Sequence, residues 1–157
     1  MKKSSDMLDA VDIAILKAMQ ADAKTTTSDL ARLLSMSETP CWRRLKRLEE
    51  NGFISRYEAV LNKEALGYGI KAFVQLSVDA HTVEATRELE EKIKSHSGVF
   101  SFHNVTGDCD FIIQLICKNI DDYSFFIDKT LRDIPSIRKI KTFISLREIT
   151  QNNHLNI

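Results

Sequence analysis

Two clusters in this 157-residue sequence carry side chains able to do chemistry. The first lies between Ser37 and Gly52 and holds Arg43, Arg44, Lys46 and Arg47, opposed from Ser35 to Leu48 by Glu38 alone. Cations set that closely hold phosphates, and an arginine can also pair bidentately with guanine. The second cluster is the run Gly107-Asp108-Cys109-Asp110. Backbone amides of such a turn can take a carboxylate, and an aspartate can take an ammonium group. Taken alone, this run reads first as a plain β-turn, because Gly and Asp are ordinary turn residues. Asp108 and Asp110 could in principle form an acid/base pair, but neighbours on one turn do not make a cleft.

Other chemistries lack their residues. His81, His96, His103 and His154 have no metal-ligand spacing, and no G-x-S-x-G or phosphate-binding loop occurs. Gly67 and Gly69 lack the third glycine of a dinucleotide fingerprint and read as a turn before a strand. Cys41, Cys109 and Cys117 are an odd count without a C-x-x-C pair, which favours reduced thiols and a cytoplasmic address. No metal and no cofactor are expected.

The elements that position the cationic cluster can be read from periodicity. Ser37 suits an N-cap, Pro40 suits a first turn, and Gly52 suits a stop. Projected at 3.6 residues per turn, Cys41, Trp42, Leu45 and Leu48 fall on one side. Arg43 and Arg47 lie near the centre of the other, flanked by Thr39, Pro40 and Lys46, with Arg44 at the boundary. Cys41 and Trp42 are therefore expected to fill a core. Upstream, Leu8, Val11, Ile15, Leu16 and Met19 form a helical stripe, with Asp9 and Asp12 at its positive end. Thr26 and Asp29 have capping-box spacing at the start of a second helix. A short helix, a three-residue turn and a longer helix with outward arginines make a helix-turn-helix, the first helix of the trio supplying the third wall of a small core. The third helix enters the DNA major groove by its N-terminal half. Phe53–Leu61 is β-prone and reads as a wing or hinge strand.

Net charge is zero and the pI about 6.9, so the positive charge is local rather than global. Hydrophobic content of 43% with 28% charged residues fits a soluble globular chain. No apolar run approaches the ~20 residues of a membrane span, and the N-terminus has no apolar signal segment. Residues 1–61 are expected to form the DNA-binding domain, 62–69 a linker, and 70–157 a second domain. In the second domain, Ile70–Val78 reads as a strand, Val83–Ser95 as a helix, Val99–Thr106 and Asp110–Lys118 as strands, Asp121–Ile134 as a helix and Ile137–Ile149 as a strand. This βαββαβ order is the ferredoxin-like plan: one antiparallel sheet with both helices on one face. The fold class is α+β. The other sheet face needs a cover, and a second copy of the chain supplies the simplest one, so at least a homodimer is expected.

A winged helix-turn-helix joined to a βαββαβ domain resembles the Lrp/AsnC, or feast/famine, transcriptional regulators from Leu8 to about Ile149. The most specific words are TPCWRRLKRLEENGFI (Thr39–Ile54), which looks like the family's recognition helix, and VTGDCDF (Val105–Phe111), which looks like its effector-domain turn. The resemblance implies a DNA-binding regulator, not an enzyme, that dimerises through its sheet and assembles further, typically to octamers. It implies double-stranded DNA as partner, contacted by Ser37, Thr39, Pro40, Arg43, Arg44, Lys46 and Arg47. It also implies a small effector, usually an amino acid, bound between dimers. By position, Gly107, Asp108 and Asp110 match the effector turn, and Asn104, Ala72 and Phe143, Ile144 and Ser145 match positions that line or tune the pocket. The rival readings are an enzyme and a stand-alone effector module without DNA. The second has no need of the four cations from Arg43 to Arg47.

Overall fold

The computed structural model describes residues 8–79, 82–149 and 154–157. The N-terminal residues 1–7, His81 and tail residues 151–153, on which some sequence expectations rest, lie outside the described residues. The described chain groups into two compact units, residues 8–60 with 154–157 and residues 61–149. The tail was expected with the second domain. Its described end instead belongs to the first unit, held there by Gln20.

The first unit contains α1 (Ala10–Ala21), α2 (Thr27–Leu33) and α3 (Glu38–Glu50). Asp9 caps α1 by a reciprocal box with Asp12, and Thr26 caps α2 by the same device with Asp29. Ser37 occupies the N-cap of α3 with extended backbone, but its side chain makes no cap hydrogen bond. The first turn of α3 is thus set by backbone geometry and Pro40 rather than by the expected hydroxyl.

Both breaks around α3 are Schellman turns. After α3, Gly52 has φ 76°, and the amides of Gly52 and Phe53 donate to the carbonyls of Glu49 and Leu48. After α2, the amides of Ser35 and Met36 donate to Arg32 and Ala31 in the same way. Here the left-handed position is filled by Ser35 at φ 52°, which costs a residue with a Cβ about 1 kcal/mol. Leu30, Ala31, Cys41 and Leu48 close the core with Ile15 and Met19. The expected wing strand over Phe53–Leu61 does not form: the segment has no regular secondary structure. A strand needs a ladder partner, and among the described residues none is paired with this segment.

The second unit follows the expected order: β1 (Ile70–Val78), α4 (Val83–Lys94), β2 (Val99–Asn104), β3 (Phe111–Cys117), α5 (Ile120–Phe126) and β4 (Ile137–Ile144). The strands lie in the order β2-β3-β1-β4, and every neighbouring pair is antiparallel. Strand periodicity explains the two faces. Ala72, Val74, Leu76, Ile113 and Leu115 pack with Leu89, Ile93, Phe126 and Leu131 of the helical layer. After α5 the helix widens into a π-turn over Ile127–Leu131, with Arg132 N–H donating to the Ile127 carbonyl at 3.0 Å. This turn lets Phe126, Ile127 and Leu131 all bury. The opposite sheet face presents Phe73 and Phe143, paired in register, at 38% and 46% exposure. Among the described residues no helix is long and apolar enough to cross a membrane.

Candidate nucleic-acid interface and effector turn

Helix α3 splits its polar surface into two flanks. Arg44 Nη1 donates to Asp9 Oδ2 at 2.6 Å and to Asp12 Oδ1 at 2.8 Å, while Arg47 Nη2 donates to Asp12 Oδ2 at 2.5 Å. Asp12 is 1% exposed, so one buried carboxylate receives two guanidinium groups. Arg44 is half-buried, and its guanidinium is pushed up by the Asp9 and Asp12 hydrogen bonds. Arg44 was expected at the boundary of the cationic face and Arg47 near its centre, both as DNA contacts. Both bolt α3 onto the first turn of α1, and Arg47 remains exposed while doing so. The physical reason is charge pairing: a buried carboxylate must be matched.

The other flank is open. Thr39, Arg43 and Lys46 are exposed, and Ser37 and Pro40 are exposed at the helix start. Lys46 has only a 4.0 Å contact with Glu49, and among the described residues Arg43 makes no ion pair. Trp42 joins this flank at 53% exposure, contrary to its expected place in the core. One residue step turns a helix by about 100°. Trp42 therefore sits a full step from buried Cys41 and beside Lys46. Its position between the apolar and cationic arcs was the signal that could have found it. No local signal marked the Asp12 pairing, because its arginine partners lie 32 and 35 residues away.

In the second unit the effector candidates separate into two groups. Asp110 ties the Gly107 turn to the end of β1: its amide donates to the Leu76 carbonyl at 2.9 Å, and its Oδ2 accepts the Val78 amide at 2.9 Å. Its own carbonyl accepts from Val105 N–H at 2.9 Å and from Asn104 Nδ2 at 3.0 Å. Gly107 has φ 135°, which a side chain would strain, and Asp108 is exposed. So Asp110 and Asn104 brace the turn, and Asp108 points to water.

Phe143, Ile144 and Ser145 lie at the other end of the sheet, with Ile144 opposite Ala72 and the Ser145 amide bonded to the Lys71 carbonyl at 2.8 Å. Along β1 the anchor points of the two groups are three to seven residues apart, roughly 10–23 Å. Ala72 itself is 0% exposed on the helix-side core. By resemblance it matched a position that lines or tunes the pocket; it is buried on the helix side, while Phe73 beside it is exposed on the other face. Lys141 lies over the Phe143 ring, 4.8 Å from its centroid, and Lys71 pairs with Glu148 at 2.5 Å, so this end carries both aromatic and charged surface.

Cys41 and Cys117 are free and buried, and burial pushes both thiols up, away from reactive thiolate. Among the described residues no three His, Cys, Asp or Glu side chains gather where a metal could sit.

Comparisons with known proteins agree with this two-unit construction. The family model of the winged helix-turn-helix DNA-binding domain matches residues 8–55, and that of the Lrp/AsnC ligand binding domain matches residues 71–155. The chain is 34% identical over 142 residues to the Bkd operon transcriptional regulator of Pseudomonas aeruginosa, covering 90% of this chain and 93% of that one. It is 30% identical to the leucine-responsive regulatory protein of Haemophilus influenzae, covering 98% and 93%. Among solved structures, a transcriptional regulator of Neisseria meningitidis in complex with L-Met superposes with a TM-score of 0.89 at 28% identity, covering 94% of this chain and 96% of that one. This chain belongs to the Lrp/AsnC family of DNA-binding transcriptional regulators.

Proposed function

We propose that this regulator reads its DNA site with the exposed flank of α3 and is controlled by a free amino acid bound where copies of its sheet unit meet. The observation that carries the DNA half is the split surface of α3: Arg43 and Lys46 are available while Arg44 and Arg47 hold the helix in place. Arg43 reaches for a base edge, Lys46 and Thr39 hold phosphate, and Ser37, Pro40 and Trp42 fit the groove wall. Arg47 is exposed enough to approach a phosphate as well, but its first duty is to Asp12.

The effector half rests on geometry and on kinship. One chain keeps the Gly107–Asp110 turn and the Phe143–Ser145 segment at opposite ends of one sheet, so a site using both takes them from different copies. A free amino acid offers a carboxylate for the turn amides and an ammonium for Asp108. The L-Met complex of the Neisseria meningitidis relative supports that ligand class. Two copies meet through the uncovered Phe73 and Phe143 face, and dimers assemble further, to an octamer. This reading gives the chain no catalytic role, and turnover of an amino acid by the pure protein contradicts it.

The test is fluorescence anisotropy on DNA from upstream of the protein's own gene, against scrambled DNA, with each of the twenty amino acids. Preferential binding that one or a few amino acids shift is the expected result. Preferential binding that none of them shifts removes the amino-acid effector.

A further inference from the structure

The first unit contains a groove that the DNA and effector readings do not use. It lies between α1 and the extended segment 53–60, and Leu16, Met19, Phe53, Ile54, Tyr57 and Val60 give it an apolar lining. Residues His154, Leu155 and Ile157 of the tail lie along it and form one of its sides. Gln20, on the last turn of α1, holds Leu155 by both backbone groups. Gln20 Nε2 donates to the Leu155 carbonyl at 2.8 Å, and the Leu155 amide donates to Gln20 Oε1 at 2.9 Å. A primary amide paired this way imitates one residue of a neighbouring strand, offering one donor and one acceptor to an extended peptide. Beside it, the Tyr57 hydroxyl donates to Glu49 Oε1 at 2.7 Å, which fixes segment 53–60 against α3 and keeps the groove wall in place.

We propose that this groove is a peptide seat on the DNA-binding unit, and that its occupant is residues 154–157 of the same chain. Gln20 recognises the backbone of the occupant, and the apolar lining selects the side chains at alternate positions, Leu155 and Ile157. Ile157 is the better covered of the two, at 39% exposure against 73%. Docking has a topological consequence. The chain leaves this unit after Val60 and its described end, residues 154–157, belongs to it again, so the occupied seat closes a second, non-covalent tie to the DNA-binding unit. Unlike the first link, this one is closed by non-covalent contacts, the Gln20–Leu155 amide pair among them, and can be released.

Hydrogen exchange on the full-length protein and on a variant ending at residue 153 tests the seat. With two net hydrogen bonds lost, amides at the end of α1 and in segment 53–60 are expected to exchange on the order of thirty-fold faster, with β1 and β3 unchanged. A synthetic peptide of residues 150–157 should then bind the truncated protein and restore protection, and should not bind the full-length protein, whose seat is filled. The Q20A variant with an intact tail should show the same fast exchange. Unchanged exchange on truncation, or peptide binding equally to both proteins, overturns the proposal. So does protection regained when truncated protein is refolded with Q20A protein, because the seat is then filled by another copy's tail.

Discussion

The two units treat their polar and apolar surfaces in opposite ways. The helical unit buries a carboxylate, Asp12, and matches it with Arg44 and Arg47, so its recognition helix is fixed before any ligand arrives. The sheet unit buries one face under two helices and leaves the other with Phe73 and Phe143 half in water. The helical unit therefore matches its buried charge from within, while the sheet unit leaves an apolar face uncovered, which the proposed assembly would cover. A DNA reader gains from a rigid helix, since bases are read at fixed positions. A sensor that works between copies gains from a face that stays open until the copies meet.

The comparison is broken most strongly at the open face. Phe73→Lys puts an ammonium beside Lys71 and Lys141 where two copies are proposed to meet, and such like-charge contacts cost several kcal/mol. The expected outcome is monomer by sedimentation velocity with the fold retained by circular dichroism. An unchanged oligomer would move the interface elsewhere. Next in size is Asp12→Ala, which removes the match for two guanidinium groups. We expect it to destabilise the helical unit by about 3 kcal/mol in denaturant unfolding, while the sheet unit's transition stays put.

Smaller effects sharpen the same contrast. Ser35→Gly relieves a left-handed backbone at the turn before α3 but adds chain entropy, for a net gain of about 0.5 kcal/mol by thermal unfolding. The pH dependence has a defined sign. The Asp12 backbone amide, and then Arg44, hold the Asp9 carboxyl below its ordinary 3.8. A depressed folded value means that Asp9 stabilises the unit above about pH 3.8 and that this is lost as the pH falls through the lower folded value. Unfolding followed from pH 6 to 2 should show an acid limb that flattens in Asp9→Ala.

How much of this was legible in the sequence depended on whether the cause was local. Capping pairs three residues apart, at Thr26 and Asp29, announce themselves because both partners sit in one turn. Strand alternation in IKAFVQLSV likewise marks which side chains face the helices. Pairings across the chain left no such trace. Asp12 looked like a residue placed for the helix dipole, and Arg47 looked free, because their distance in sequence hides their contact. Ala72 and Phe143 matched a pocket by topology, yet alternation alone put Ala72 on the core side. Segment 53–61 has strand composition without a strand partner among the described residues, and composition cannot supply the partner. In the Gly107–Asp110 turn, the residue types were legible but their division of labour was not: Asp110 braces and Asp108 is exposed.

The central claim is that α3 divides its cations between reading and bolting. Anisotropy titrations of Arg43→Ala and Arg47→Ala on the preferred and the scrambled DNA test it most directly, each paired with an unfolding curve. The account predicts that Arg43→Ala costs about 1–3 kcal/mol on the preferred DNA, little on the scrambled DNA, and nothing in stability. Arg47→Ala should instead lower stability and weaken both DNAs together. Equal weakening of both DNAs by Arg43→Ala, or a loss of sequence preference only in Arg47→Ala, would contradict it.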